Sequence, residues 1–429
     1  MSSEVGNTKK KKYTRQELEG LDREELVNRI LQLESYNFQL KNTLQKHLTE
    51  VEGTPQKEER KRPFDFAKHT RRHVLLRFLY LGWDYQGLAT QENTTKTIEY
   101  HMFAALAKAC LIESRQTCNY HRCGRTDKGV SSFCQTISLD LRSKLTKEEI
   151  EKNVTEGELQ YAKILNRLLP EDIKVLSWTP VPEDFSARFD CKNRMYKYFF
   201  PRGELNIKLM NEAAQYLLGT HDFRNFCKLD VKNGVVNYIR DVQFVQVHLR
   251  CADPLGNSAY DLCELTIKGK AFLWHQIRCI MGILILVGQG NEDPGIIKKL
   301  LNVEENPCKP QYNMAADLPL NLFECEFEDI KPEVQDPEAL EIAVRCLQNA
   351  WGQHTVQAGM IRCMLSALEE GSLSSSKLCF QTDWLLQGVC PRVYQPLLNR
   401  PTCESLEGRI EHYRKKQKLD SSVQSDVSI

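Results

Sequence analysis

Cys123-Gly124-Arg125-Thr126-Asp127-Lys128-Gly129-Val130, with the run to Arg142 behind it, decides how this chain is read. One carboxylate stands between an arginine and a lysine, and a glycine brackets each side. Glycine permits the tight backbone geometry of a loop, and the flanking cations favour the ionised form of Asp127. Beyond the loop, Phe133, Ile137, Leu139 and Leu141 share one parity while Thr136, Ser138 and Asp140 take the other. That period of two predicts a half-buried strand. Asp127 therefore sits on a glycine-hinged loop at the mouth of a strand. Two readings fit the spacing: an acid placed for chemistry, or a loop aspartate paired to Arg125.

Working outward, His73 to Leu81 is β-rich and ends at a Gly82 turn, and Thr97 to Leu111 carries apolar residues at helical spacing. A charged helix over Thr146 to Leu169 and a strand over Ile173 to Trp178 complete a first set. The second set places strands at Met195 to Phe200, Val242 to Leu249 and Leu262 to Ile267, with helices at Leu209 to Leu218 and Phe272 to Val287. The fold class is α+β. Two similar α/β halves, 71–180 and 181–330, have antiparallel sheets covered on one face by helices, although no repeat in the sequence proves duplication.

The flanks read differently. Residues 1–20 form a polar tail around Lys9-Lys10-Lys11-Lys12, which fits a nuclear import signal, a phosphate-binding arm or a solvated tail. Asp22 and Glu25 make a capping box that opens a helix within 21–50. There Leu26, Leu33 and Leu40 interleave with Ile30, Asn37 and Leu44 as a three-heptad seam. Such a seam predicts a coiled coil and a homodimer; an amphipathic helix lying on the protein's own body is the alternative. Residues 51–70 read as a charged, proline-bearing linker. Residues 331–400 form a helical extension, centred on an amphipathic helix from Asp336 to Glu370. A basic, serine-rich tail follows over 401–429, with a short helix at Arg409 to Lys418.

Lysines and arginines number 58 against 57 acids in 429 residues, so any RNA surface must be a local basic patch. The 16 cysteines include no Cys-x-x-Cys pair, a pattern suited to a reducing compartment. Cys118, His121 and Cys123 lack a second pair at ligand spacing, so no metal site is expected from them. The opening residues do not read as a signal peptide, and Ile280 to Val287 is too short to span a bilayer. A soluble protein of the nucleus or cytoplasm, without a membrane span, is expected.

Five segments, in order, resemble the tRNA pseudouridine synthase A family. They are Tyr80 to Gly87, Gly124 to Val130, Asp184 to Phe189 with Arg194 to Tyr198, Leu218 to Phe226, and Ala271 to Arg278 with Met281-Gly282. Together they span residues 73–330. Lys128, with the blocks Arg194 to Pro201 and His221 to Phe226, is similar to a eukaryotic branch that acts on uridines 38 and 39 of the anticodon stem-loop. The resemblance implies two sheets joined around a central cleft and a tRNA partner. It also implies isomerisation of uridine to pseudouridine without metal, nucleotide or other small-molecule cofactor.

It further implies roles for particular residues. Asp127 is the catalytic carboxylate, as nucleophile or proton acceptor, and Arg278 pairs with it, the alternative being that Arg278 reaches solvent or a backbone carbonyl. Tyr196 stacks on the extruded uracil, though Tyr198 shares its parity and one of the two is core. Arg125 fills the gap left by the base or grips a phosphate, and Arg188 clamps the RNA backbone. Lys128 stands where bacterial members carry a small residue, so no role transfers to it. Three rival readings are a same-fold synthase acting on other tRNA or mRNA positions, a non-catalytic RNA-binding scaffold, and a carboxylate-dependent nucleoside hydrolase. The last usually wants a second acid or a metal cluster beside Asp127, and the sequence shows no such motif.

Overall fold

In the computed structural model, residues 64–370, 378–388 and 393–414 are described, with Leu26 alone ahead of them. The lysine tail, the heptad seam but for Leu26, most of the linker and the serine-rich end lie outside the described residues. The chain divides into two units, Met1–Phe64 and Asp65–Ile429, and everything below belongs to the second.

Ten strands among the described residues form one sheet. In chain order they are β1 (Arg71–Tyr80), β2 (His121–Arg122), β3 (Ser131–Arg142), β4 (Ile173–Pro180), β5 (Asn193–Pro201), β6 (Gly219–Asp222), β7 (Ile239–Cys251), β8 (Leu262–Gly269), β9 (Leu320–Glu326) and β10 (Val334–Gln335). Their order across the sheet is β10-β4-β1-β3-β9-β5-β8-β7-β6, with β2 attached to β3. Every pairing is antiparallel except the short junction of β3 with β9, where Ser131 faces Asn321 and Ser132 faces Leu322. That junction immediately follows the Asp127 loop.

Apolar periodicity builds a core on each side of it. Val74, Leu76, Phe78 and Tyr80 of β1 and Ile137, Leu139 and Leu141 of β3 pack with Met102 and Leu106 of α1 (Ile98–Lys108). After α2 (Lys147–Glu151), α3 (Tyr161–Asn166) adds Tyr161 and Leu165 to the same core. On the other side, α4 (Ile207–Gln215) contributes Met210, Ala213 and Ala214, and all of α5 (Gln276–Gly288) is buried. A fully buried Leu or Ile contributes about 1.5–3 kcal/mol, so α5 is fixed firmly, and the residues at its start inherit that rigidity.

Several sequence expectations need correction. The charged helix over Thr146 to Leu169 is two short helices, α2 and α3. Asn153 (φ 55°) and Gly157 (φ 80°) adopt left-handed backbone between them, which a helical ladder cannot pass. The strand after the Asp127 loop is buried on both faces rather than half-buried: Thr136 and Ser138 are inaccessible and Phe133 is exposed. The segment before β5 covers the second face, where Ala187 N–H donates to Ser138 Oγ (3.0 Å) and His73 Nε2 meets the Phe185 carbonyl (3.0 Å). The expected helix over Phe272 to Val287 begins only at Gln276.

The sequence reading also passed over β6, β9 and α6 (Ile296–Leu301). Beyond β10, α7 (Pro337–Glu370) matches the amphipathic helix expected there, and it buries only Ala339 and Ala343. The chain then returns to the body. Leu385 and Leu397 are inaccessible members of the core around α5, joined by Leu406 at the start of α8 (406–414). No helix among the described residues is long and apolar enough to cross a membrane.

Candidate active site

The Asp127 loop is held from several directions. Its Thr126 carbonyl accepts from Leu88 N–H (3.1 Å), and Gly129 N–H donates to the Tyr85 carbonyl (3.1 Å). The Thr126 hydroxyl lies 2.7 Å from the buried Tyr80 phenol, and Gln135 Nε2 donates to the Gly124 carbonyl (3.2 Å). Two glycines are required here. A side chain at Gly82 would put its Cβ 2.0 Å from the Val130 carbonyl oxygen, and Gly129 sits at φ 77°. Asp127 thus projects from a clamped loop.

Its carboxylate does not pair with Arg125. His275 Nε2–H donates to Asp127 Oδ2 at 3.2 Å. Burial pushes the Asp127 pKa up, but the His275 hydrogen bond and charge, the Arg278 charge and a hydrogen bond from Trp274 outweigh it. The net effect holds Asp127 below the ordinary carboxylate range, so it is ionised at neutral pH. His275 is aimed by strain: as N-cap of α5 it takes φ 61°, a left-handed conformation uncommon for histidine. Its neighbours pin it, with Gln276 Oε1 accepting from Leu273 N–H (2.8 Å) and the Trp274 carbonyl accepting from Lys228 N–H (3.0 Å). The sequence reading quoted His275 in its motif but gave it no role. What marks it there is position, a polar residue one helical turn before Arg278.

Arg278 correspondingly meets the alternative, a backbone carbonyl, rather than the Asp127 pairing that the resemblance implies. It is 3% exposed, and its Nε–H donates to the Ala315 carbonyl (2.8 Å) while Nη2–H donates to Gln387 Oε1 (2.6 Å). Its nearest carboxylate is Asp317, at 3.9 Å. The direct ion pair with Asp127 is therefore replaced by His275. Arg278 acts on Asp127 through its charge, because its fork is already committed to the 315–317 turn and to the returning chain. Asp317 in turn lies against Gly129, where an added Cβ would sit 3.2 Å from its carboxyl carbon. Gln387 and Asp317 were not found from sequence, since both lie far along the chain from any motif.

Asp127 opens into a cleft of about 1370 Å³, also lined by Tyr196, Arg125, Arg188 and Arg278. Tyr196 is 8% exposed, with its ring edge-on to Phe272 at 5.4 Å, and burial raises its phenol pKa far above neutrality. Tyr198 is inaccessible, so it is the structural member of the pair. Arg125 and Arg188 are exposed, and the Arg188 guanidinium lies 5.2 Å from the ring of the highly exposed Phe189. Trp274, also exposed on the cleft, carries Lys228 over its ring at 5.5 Å. Seven arginines and three lysines line the cleft against two acids, Asp127 and Asp230. The near-neutral chain has gathered its local positive surface around the Asp127 carboxylate. Exposed aromatics interleave with the cations, a combination suited to stacking unpaired bases and gripping phosphates.

Comparison with known proteins agrees with this chemistry. A family model described as tRNA pseudouridine synthase matches residues 213–328. The chain is 45% identical over 427 residues to the human tRNA pseudouridine(38/39) synthase, covering 92% of this chain and 89% of that protein. It is 41% identical over 336 residues to the Saccharomyces cerevisiae protein of the same name, covering 74% of each. With the tRNA pseudouridine synthase A of Methanosarcina barkeri it shares 31% identity over 231 residues, 54% of this chain and 76% of that one.

Proposed function

The chain belongs to the tRNA pseudouridine synthase family, and we propose that it isomerises uridines 38 and 39 of the tRNA anticodon stem-loop, with Asp127 as the acting carboxylate. The observation that carries the reading is an ionised, clamped Asp127 in a strongly cationic cleft.

Isomerisation breaks the N1–C1′ bond, forms C5–C1′, releases the C5 hydrogen as a proton and protonates N1. No electrons or phosphoryl groups move. A charged carboxylate at the sugar face serves either as nucleophile on C1′ or as acceptor of a sugar proton, and both routes need Asp127 ionised. The target uridine must first leave its stack, at a cost of a few kcal/mol. Stacking on Tyr196 returns about 1–3 kcal/mol. Because its phenol stays protonated, that ring brings no charge to the base. Arg125 and Arg188, exposed on the rim, bind phosphates or occupy the space the base vacates. His275 and Arg278 keep Asp127 charged and oriented. They are positioning residues.

Three wider readings belong to the same proposal. Two similar α/β halves flank the cleft, a reading supported by a nearly all-antiparallel sheet with a core on each side of the β3–β9 junction. Residues 21–50 pair between subunits, a reading supported by their heptad spacing, and the protein acts in the nucleus, the cytoplasm or both, the nucleus being supported by the Lys9 to Lys12 run.

The test is to map pseudouridine by carbodiimide-blocked primer extension on tRNAs carrying uridine at 38, at 39, or at neither. Stops confined to 38 and 39 are expected. Stops elsewhere with 38 and 39 untouched would transfer the protein to another branch of the family.

A further inference from the structure

Three thiols meet beside the catalytic cleft. Cys123 directly precedes the Asp127 loop, Cys191 lies just before β5, and Cys325 belongs to β9. Their sulfurs all lie within 4.8 Å of one another, and Cys123 Sγ approaches Cys325 Sγ at 3.4 Å. All three are at least 95% buried, yet Cys123 and Cys191 also line the cleft, which gives a small ion a path to them. A Zn–S bond of about 2.3 Å sets tetrahedral sulfurs about 3.8 Å apart, within the observed spread.

A second observation points to negative charge at this place. The Arg194 guanidinium is buried, and its donors go to three carbonyls: Lys270 (2.5 Å), Cys123 (2.9 Å) and Arg188 (3.0 Å). No carboxylate lies within ion-pair reach of it among the described residues. A buried cation held only by neutral carbonyls is costly, and a trithiolate-bound divalent ion of net single negative charge beside it would supply the missing counter-charge.

We propose that Cys123, Cys191 and Cys325 form a three-thiolate binding site for a thiophilic d¹⁰ metal ion of the Zn(II) class. Soft thiolates select such ions. Loading a divalent ion displaces the protons that the thiols still hold and leaves a net single negative charge, which Arg194 balances. Affinity therefore rises with pH. The site ties the start of the Asp127 loop to β5 and β9 across the sheet junction, so the ion is a brace and takes no part in the isomerisation. Sequence spacing hid it, because the ligands are 68 and 134 residues apart; Cys118 and His121, the neighbours that the sequence suggested, are not members of the cluster.

The probe is Cd(II), titrated into reduced, metal-free full-length protein and followed by its thiolate charge-transfer absorption. Thermal melts with and without Cd(II) or Zn(II) accompany it. With 16 cysteines in the chain, the difference between proteins is what reads the site. Wild type should show a tight phase of one equivalent and a rise in melting midpoint. Cys191→Ser and Cys325→Ser should each lose both, and wild-type turnover should be unchanged by the ion. If Cys325→Ser fails to fold, Cys191→Ser and Cys123→Ser decide. A Cys191→Ser titration and melt like those of wild type overturns the proposal, and so does a native disulfide within the trio found by peptide mapping. Neither result bears on the isomerase reading, which uses none of these sulfurs.

Discussion

Asp127 combines partial burial, which works against its charge, with hydrogen bonds and cations that work for it, and the second group prevails. The sign follows directly. A carboxylate whose folded pKa is depressed gives stability that is present above its unfolded value, about 3.9, and lost as pH falls through the folded value. Activity that needs the ionised form shares that window, so the acid limb of kcat/KM lies below the ordinary carboxylate range. His275→Asn removes the leading hydrogen bond and its charge and should move that limb to higher pH. An unmoved limb would show that Asp127 does not depend on His275. At Tyr196 the ring face matters more than the phenol. Tyr196→Ala should lose about 1–3 kcal/mol of transition-state stabilisation, roughly 5- to 150-fold in kcat/KM, and Tyr196→Phe far less. Equal losses would point to the hydroxyl instead. At this scale the sequence was informative about Asp127 and Tyr196 because their motif is contiguous. It missed the histidine pairing because which of two nearby residues faces the acid depends on one left-handed φ.

The elements that carry these residues were read with uneven success, for physical reasons. Long apolar runs such as α5 and β1 announce themselves through burial. The division of 146–169 into two helices turns on two left-handed residues. β9, though alternating, lies beyond the last quoted motif and has its partners far away in β3 and β5. The return of the chain at 378–388 is the least legible of all, yet it reaches the site: Gln387 caps the Arg278 fork, and Leu385 fills the core beside it. Gln387→Ala leaves a buried donor of a charged group without a partner, which costs about 1.5–3 kcal/mol. The expected outcome is a lower urea midpoint together with reduced kcat, because Arg278 loses its position. A variant with wild-type midpoint and kcat would detach the C-terminal segment from the site.

For the whole molecule, a net charge of +1 conceals the cleft's excess of cations. Affinity for tRNA should therefore fall steeply with salt, while substitutions at the acid change it little. The heptad seam bears on assembly. An isolated helix of the proposed length would be marginal in water, so the proposal requires pairing or docking to stabilise it. Deleting residues 1–50 should weaken dimerisation or tRNA affinity more than the chemical step, as read by light scattering and single-turnover kinetics. Unchanged mass, affinity and rate would make the helix a bystander.

The central claim is that Asp127 performs the isomerisation inside a cleft whose cations hold the RNA. Tritium release from tRNA labelled at uracil C5 reads it most directly, because forming the C5–C1′ bond expels that hydrogen. Wild type should release tritium in step with pseudouridine formation. Asp127→Asn and Asp127→Ala should release none while binding tRNA within a few-fold of wild type. Near-normal release by Asp127→Ala would contradict the account.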